Sequence, residues 1–175
     1  MTVTQIIASL FIIILSPIVL IITIINFGFN GGKVFFKQTR LGKKKEHFTI
    51  LKLRTMTDGK ITSFGKVLRN LGLDELPQLI NIVRGEMNFI GPRALTICDV
   101  KRLGWNDKHH FKRWSVKPGI TGLAQLSPVC NKKLSWQKDS FYVDNNNFKL
   151  NLSILIQSLL IPIFGKKKLS NLNHK

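Results

Sequence analysis

The chain is organised around one acidic stretch, Leu73-Asp74-Glu75-Leu76-Pro77-Gln78-Leu79. Asp74 is a residue type favoured at helix N-caps, and Pro77 is tolerated in a first turn, where its missing N–H leaves no gap. Apolar residues then recur at helical spacing, and Gly85 follows as a suitable helix stop. The stretch therefore predicts a short helix, capped by Asp74, whose first turn carries two adjacent carboxylates, called here the dyad (Asp74 and Glu75).

The dyad lies in a strongly basic chain. Of its 175 residues, 27 are Lys or Arg and 9 are Asp or Glu, which gives a formal net charge of +18. The length suits one domain with a modest core. The charge imbalance predicts an anionic partner, which is a nucleic acid, an anionic lipid or a phosphorylated substrate.

The N-terminal region is uncharged until Lys33, and residues 6–29 are dominated by Ile, Leu, Val and Phe. This apolar run exceeds the roughly 20 residues needed to cross a bilayer. It lacks the basic start and small-residue cleavage site of a signal peptide. The lysines and arginines between residues 33 and 45 place the following chain on the cytoplasmic side.

Ser16-Pro17 interrupts this apolar run near its middle. Proline removes one backbone hydrogen bond and bends a helix, and the Ser16 hydroxyl is able to satisfy the freed carbonyl. Two topologies fit the pattern: a kinked helix that spans the membrane, or a re-entrant helix that returns to the face it entered. The residues alone favour the plain span.

The remaining chain contains two β-forming runs, residues 33–39 and 48–53, around a turn at Leu41-Gly42-Lys43. This pattern predicts a β-hairpin. Residues 150–164 are strongly apolar but too few to span a bilayer, and Lys166-Lys167-Lys168 follows them. We therefore expect an interfacial helix whose lysines are attracted to anionic headgroups.

The dyad, Arg69 and Arg93 can form a phosphate-handling site, because arginines and helix N-termini attract phosphate. Two chemical roles would explain carboxylates beside a phosphate. They can hold Mg²⁺, which prefers one or two carboxylates together with substrate phosphate oxygens. Alternatively, an aspartate can attack phosphorus and form an aspartyl-phosphate type of intermediate. The sequence contains no P-loop, dinucleotide-binding glycine fingerprint, zinc-binding histidine pair or serine elbow.

Six segments match a known protein family in order and across nearly the whole chain. They are Ser16-Pro17; Val34-Phe35-Phe36-Lys37-Gln38-Thr39-Arg40-Leu41-Gly42; Phe48-Thr49-Ile50-Leu51-Lys52-Leu53-Arg54-Thr55-Met56; Leu68-Arg69 with Leu73-Asp74-Glu75-Leu76-Pro77-Gln78-Leu79-Ile80-Asn81; Gly85-Glu86-Met87 with Gly91-Pro92-Arg93; and Lys117-Pro118-Gly119-Ile120-Thr121-Gly122-Leu123-Ala124-Gln125. On these segments the chain resembles the bacterial sugar transferases, the small monotopic phosphoglycosyl transferases that start glycan assembly on polyprenyl phosphate.

The resemblance implies a reaction and a role for each site residue. Asp74 would attack the β-phosphorus of a UDP-sugar and release UMP, and undecaprenyl phosphate would then take up the sugar phosphate. Glu75 would hold Mg²⁺, while Arg69 and Arg93 would steady phosphate oxygens. Nucleic acid is not an expected partner.

The resemblance also implies an architecture, an α+β fold that is mostly α. Residues 1–30 would form a re-entrant membrane helix broken at Ser16 and Pro17. Residues 31–149 would form a small cytoplasmic catalytic domain with the β-hairpin, and residues 150–175 an interfacial amphipathic segment with a basic tail. The enzyme would lie at the cytoplasmic face of the bacterial inner membrane, with anionic lipids and downstream glycosyltransferases as candidate partners.

The chain departs from the family pattern at several positions. Thr2-Val3-Thr4-Gln5 stands where a Lys-Arg pair and an Asp usually precede the apolar run. Ala94 replaces a second proline, Ser127-Pro128-Val129 replaces an Asn-Gly-Arg-like segment, and Asn151 replaces a usual Asp. These departures leave a non-catalytic membrane-anchored scaffold as one alternative function, and the charge of +18 leaves a membrane-anchored basic protein that binds polyanions as another. The sequence identifies neither the sugar nor the glycan, whether capsule, exopolysaccharide, O-antigen or glycoprotein.

Overall fold

The structure is a computed structural model that describes residues 1–128 and 131–166. These residues are mostly helical with small two-stranded sheets, as the predicted α+β, mostly α class requires. The helices are α1 (Val3–Phe29), α2 (Ser63–Leu71), α3 (Leu79–Val83), α4 (Ile97–Leu103), α5 (Lys132–Asn145) and α6 (Phe148–Phe164). The strands are β1 (Phe35–Leu41), β2 (His47–Leu53), β3 (Met56–Thr57), β4 (Lys60–Ile61), β5 (Asn88–Ile90) and β6 (Gly119–Thr121).

The elements form two compact units. The first contains residues 1–39 and 49–85, and the second contains residues 40–48 and the chain from Glu86 onward. The predicted division into residues 1–30, 31–149 and 150–175 stays a prediction. The basic tail beyond Lys166 and the position of Cys130 lie outside the described residues.

Helix α1 begins at a capping box, in which the Thr2 hydroxyl accepts from Gln5 N and the Gln5 side chain accepts from Thr2 N. The helix continues through Ser16 and Pro17, and Pro17 has no N–H to donate to the Ile13 carbonyl. Ser16 Oγ donates to that carbonyl at 2.8 Å, as the sequence predicts. Among the described residues, α1 is the one helix long and apolar enough to cross a membrane.

Both ends of α1 are bound to the first unit. Near the N-terminus, Gln5 Nε2 donates to the Val83 carbonyl at 2.8 Å. Near the C-terminus, the fully buried Asn26 donates from Nδ2 to the Arg54 carbonyl at 2.9 Å. Between them, Ile22 is buried against the core of the unit.

The predicted β-hairpin is confirmed. Strands β1 and β2 pair with each other and are joined by a 3₁₀ turn, Lys43–Lys45. Gly42 N donates to the Glu46 carbonyl at 2.8 Å and closes the turn. Leu53 of β2 packs with Leu68 of α2 and Ile22 of α1 in a small buried core of the first unit.

The predicted Asp74 cap is wrong. The stretch forms a 3₁₀ helix, Leu73–Gln78 (called here the dyad helix), and Gly72 with φ 70° is its N-cap, so Asp74 lies inside it. Gly72 also ends α2, because its left-handed backbone both terminates that helix and redirects the chain. Pro77 has no N–H to continue a regular α-helix, and α3 starts only at Leu79.

The second unit is built on a parallel pairing of β5 with β6, which matches Asn88 to Gly119 and Ile90 to Thr121. Its core contains five buried residues: Leu41, Leu95, Val100, Trp105 and Trp114. Helix α6 confirms the predicted C-terminal helix, and Thr121 and Ser158 hydroxyls are 2.6 Å apart where α6 meets β6.

Candidate active site

The dyad presents two carboxylates in different situations. Asp74 is buried, with 8% of its surface exposed. Glu75 is half-buried and accepts a hydrogen bond at Oε1 from the Nζ of Lys52, which comes from β2. Across the described part of the chain, no lysine or arginine makes a salt bridge to Asp74. Lys52 therefore pairs with Glu75 and not with Asp74.

Burial raises the pKa of the Asp74 carboxyl above its usual value of 3.8, because the charged form loses hydration. The positive charge of Lys52 opposes this shift, the negative charge of Glu75 adds to it, and Arg69 opposes it again. A poorly hydrated carboxylate without its own ion pair is a suitable nucleophile.

Asn81 fixes the strand that carries Lys52. It is fully buried on α3, and its Nδ2 donates to the Thr49 carbonyl at 2.7 Å. Its Oδ1 accepts from Leu51 N at 3.2 Å. Because these two bonds lie on the β2 backbone immediately before Lys52, they hold that lysine against the dyad helix.

Arg69 is the third predicted site residue of the first unit. Its Nε donates to Thr55 Oγ1 at 2.7 Å, and Thr55 is buried. Helix α2 approaches the backbone of Thr55 closely at Gly65, where an added Cβ would be 2.3 Å from the Thr55 carbonyl oxygen. The structure thus brings Asp74, Glu75 and Arg69 together in one unit.

Arg93 belongs to the second unit, at the end of the Gly91-Pro92-Arg93 loop. Gly91 N donates to the Thr121 carbonyl at 2.9 Å, and Gly119 N donates to the Pro92 carbonyl at 3.0 Å. A Cβ at Gly119 would be 2.1 Å from Gly91 N, so the two loops need glycine to approach so closely. The Arg93 side chain is exposed on a fixed backbone. Its role as a phosphate-binding residue stays a prediction.

A buried ion pair supports this loop and was not predicted from the sequence. Arg113 Nε donates to Asp139 Oδ2 at 2.7 Å, and each residue has 3% of its surface exposed. Arg113 Nη2 also donates to the Arg93 carbonyl. The guanidinium carbon lies 5.5 Å from the ring centre of Trp105 and 5.0 Å from that of Trp114. No local motif marks this pair, because its members are 26 residues apart.

Lys52 is the other functional candidate that sequence reasoning missed. The available signal was its position, since a lysine stands between Leu51 and Leu53 in a half-buried apolar strand. Such a lysine usually has an anionic partner. The partner here is Glu75, and only the fold brings the two together.

The donor set is compatible with Mg²⁺. The described residues contain no group of three or more His, Cys, Asp or Glu side chains able to hold a metal alone. Magnesium, however, commonly uses one or two carboxylates and takes its other ligands from water and substrate phosphates. Asp74 and Glu75 supply that smaller set, with Lys52 bonded to Oε1 of Glu75.

Comparison with known proteins gives the family. Residues 2–165 match the model of the bacterial sugar transferase family, and the chain belongs to that family. It is 38% identical to the uncharacterized sugar transferase EpsL of Bacillus subtilis over 165 residues, covering 85% of this chain and 79% of that protein. The chain is therefore a sugar transferase, and its N-terminal helix is long and apolar enough to cross a membrane.

Two relatives carry more specific names. The chain is 35% identical to the UDP-glucose:undecaprenyl-phosphate glucose-1-phosphate transferase of Klebsiella pneumoniae, over 70% of this chain and 29% of that protein. It is 31% identical to the UDP-N-acetylgalactosamine-undecaprenyl-phosphate N-acetylgalactosaminephosphotransferase of Aeromonas hydrophila, over 86% of this chain and 40% of that protein. The chain thus spans less than half the length of either relative.

Proposed function

We propose that the protein transfers a sugar 1-phosphate from a UDP-sugar to undecaprenyl phosphate and releases UMP. The reaction would be the first step in assembling a capsule, exopolysaccharide, O-antigen or glycoprotein glycan. The observation that carries this proposal is the buried Asp74 carboxylate beside a lysine-paired Glu75, in a member of the sugar transferase family. The named activities of the Klebsiella and Aeromonas relatives support the same substrate classes.

The chemistry proceeds in two displacements at one phosphorus atom. An Asp74 carboxylate oxygen attacks the β-phosphorus of the UDP-sugar, and the bond from that phosphorus to the bridging oxygen of UMP breaks. UMP leaves with the electron pair, and the sugar phosphate is held on Asp74. A phosphate oxygen of undecaprenyl phosphate then attacks the same phosphorus, and the Asp74 carboxylate is released. The poor hydration of Asp74 favours the first attack, because little water must be removed from the nucleophile.

Lys52, Arg69 and Arg93 have separate roles in this proposal. Glu75 would hold Mg²⁺, which supplies charge neutralisation at the diphosphate when bound. Arg69, oriented by Thr55, would bind phosphate oxygens in the first unit. Arg93 would do so from the loop that Arg113 holds. Lys52 keeps Glu75 in place and lowers the cost of ionising Asp74.

We further propose a re-entrant topology, with both ends of α1 at the cytoplasmic face of the inner membrane. A spanning helix would separate its ends by the roughly 30 Å of bilayer hydrocarbon. Here Gln5 and Asn26 both bind backbone carbonyls of the same compact unit, which supports a return to one face. Gln5 thus offers an uncharged anchor where the family usually has charged residues. Helix α6 would lie along that face, where anionic lipids attract the lysines that follow it in the sequence.

The test is UMP release by the purified protein with Mg²⁺, undecaprenyl phosphate and a panel of UDP-sugars. We expect UMP from one or a few sugars, and a loss of roughly 10³-fold or more in Asp74→Asn, as for removal of a catalytic nucleophile. The matched control is Asp58→Asn, a loop residue with φ 51° that tolerates asparagine. Full activity of Asp74→Asn would remove Asp74 as nucleophile. No UMP from any sugar would favour the scaffold or polyanion-binding alternatives.

A further inference from the structure

An apolar cleft adjoins the dyad helix within the first unit. It has a volume of about 550 Å³ and lies between the middle of α1 and the junction of the dyad helix with α3. All of its lining residues are apolar except Ser16 and Thr23. One wall includes Pro17, Val19 and Leu20 of α1, and the other includes Leu76 and Pro77 of the dyad helix. This volume falls within the roughly 300–1,000 Å³ typical of small-molecule sites.

We propose that this apolar cleft binds the isoprenoid chain of the acceptor, in the part next to its phosphate. The inference rests on the proposed function, because it assigns a place to the lipid end of the second substrate. It adds a specificity site that is separate from the residues that contact phosphate.

The covalent connection between the cleft and the dyad supports this occupant. Leu76 lines the cleft and directly follows Glu75 in the dyad helix. A ligand that fills the cleft at Leu76 and also reaches the dyad needs an apolar chain joined directly to a phosphate. Polyprenyl phosphate has this structure. Lys52 and Arg69 are near enough to Asp74 to influence its pKa, so a phosphate beside the dyad would lie close to positive charge.

The Ser16-Pro17 pair makes the wall of the cleft less polar. Pro17 has no N–H, and the Ile13 carbonyl that would have lost its donor is occupied by Ser16 Oγ at 2.8 Å. Pro77 on the opposite wall also has no N–H. Each wall therefore has one position without a backbone donor, and the lining side chains are apolar apart from Ser16 and Thr23. This disfavours the sugar or the uridine as occupants, because their polar groups would lose hydrogen bonds.

The apolar walls also explain why a chain rather than a headgroup is expected. Burying an apolar chain contributes a favourable binding free energy in proportion to the apolar surface removed from water. The cleft lacks the charged side chains that would recognise a phospholipid headgroup. A bulk phospholipid acyl chain would have the same apolar character, and the test below separates it from the acceptor.

The experiment fills the cleft and measures each half of the reaction. Val19→Trp places an indole in the cleft, and Ile14→Trp is the control, because Ile14 is 67% exposed on α1 and does not line the cleft. The first readout is the single-turnover burst of UMP from UDP-sugar without acceptor. The second is the KM for undecaprenyl phosphate, measured in detergent micelles free of phospholipid and again with added phosphatidylglycerol.

We expect both variants to keep the wild-type burst, and Val19→Trp to raise the acceptor KM by about tenfold or more with little change in kcat. An unchanged KM in Val19→Trp, with its burst intact, would overturn the proposal. A KM change that appears only with added phosphatidylglycerol would also overturn it and assign the cleft to bulk lipid.

Two further controls keep the result interpretable. If Val19→Trp gives no burst, Leu20→Trp replaces it, because Leu20 also lines the cleft but is 60% exposed and tolerates a larger side chain. If the wild-type protein itself gives no burst with any UDP-sugar, the proposed function fails, and the cleft assignment fails with it.

Discussion

Asp74 and Asp139 are both buried aspartates, with 8% and 3% of their surfaces exposed, but their neighbours differ. Burial raises the pKa of each carboxyl because the charged form loses hydration. Asp139 has the Arg113 guanidinium at 2.7 Å, which opposes that shift. Beside Asp74, the nearby lysine is bonded to Glu75 instead.

The presence or absence of a salt-bridge partner separates a structural carboxylate from one that is available to a substrate. The hydrogen bond between Asp139 and Arg113 fixes the guanidinium that in turn donates to the Arg93 carbonyl. Among the described residues no lysine or arginine pairs with Asp74, so its ionised form costs stability, but its oxygens are available for the proposed attack on phosphorus. Burial alone therefore does not distinguish the proposed nucleophile from a structural aspartate, whereas the salt-bridge partners found among the described residues do.

The largest predicted contrast is in stability. Asp139→Asn leaves Arg113 as an uncompensated buried charge, and we expect it to lower the free energy of unfolding by about 3–5 kcal/mol. Asp74→Asn should not lower it. The reason is that Asp74 has no salt-bridge partner among the described residues, so the amide leaves no buried cation uncompensated. Denaturant unfolding in detergent measures both variants.

A double variant sharpens this contrast. Arg113→Met combined with Asp139→Leu removes both charges, and we expect it to be more stable than Asp139→Asn alone. Equal losses of stability in Asp74→Asn and Asp139→Asn would contradict the distinction between the two aspartates.

A smaller effect is predicted in the pH dependence of the reaction. The attack needs ionised Asp74, so kcat/KM should fall as the pH decreases through a pKa above 3.8. Lys52→Gln removes a charge that lowers this pKa, and the acid limb of the profile should move to higher pH. The control is Lys60→Gln on the exposed strand β4, which should leave the limb in place. A shift to lower pH in Lys52→Gln would show that another group controls the limb.

Local patterns in the sequence predicted the elements that depend on neighbours in the chain. The apolar run gave α1, the two β-forming runs gave the hairpin, and Gly85, with φ 78°, follows α3 as expected. The interaction of Ser16 with the freed carbonyl was also predicted, because its donor and acceptor are three residues apart. The dyad was found as a pair of carboxylates, although Gly72 rather than Asp74 caps its helix.

The remaining features join residues that are distant in sequence. Lys52 and Glu75 are 23 residues apart, and Asn81 contacts a strand backbone 30 residues earlier. The Gly91-Pro92-Arg93 loop and β6 appeared in the sequence as two unrelated glycine loops, and the fold joins them through backbone hydrogen bonds. Periodicity and turn residues carry no signal for such pairings, because these depend on how the elements pack.

The proposed covalent role of Asp74 is tested by the intact mass of the protein after reaction with a UDP-sugar and Mg²⁺ in the absence of acceptor. We expect an increase equal to one sugar phosphate, which disappears when undecaprenyl phosphate is added. Asp74→Asn should show no increase, whereas any Asp139→Asn protein that remains folded should still show it. A mass increase that persists in Asp74→Asn, or UMP release by the wild-type protein without any increase, would contradict the role of Asp74 as the nucleophile.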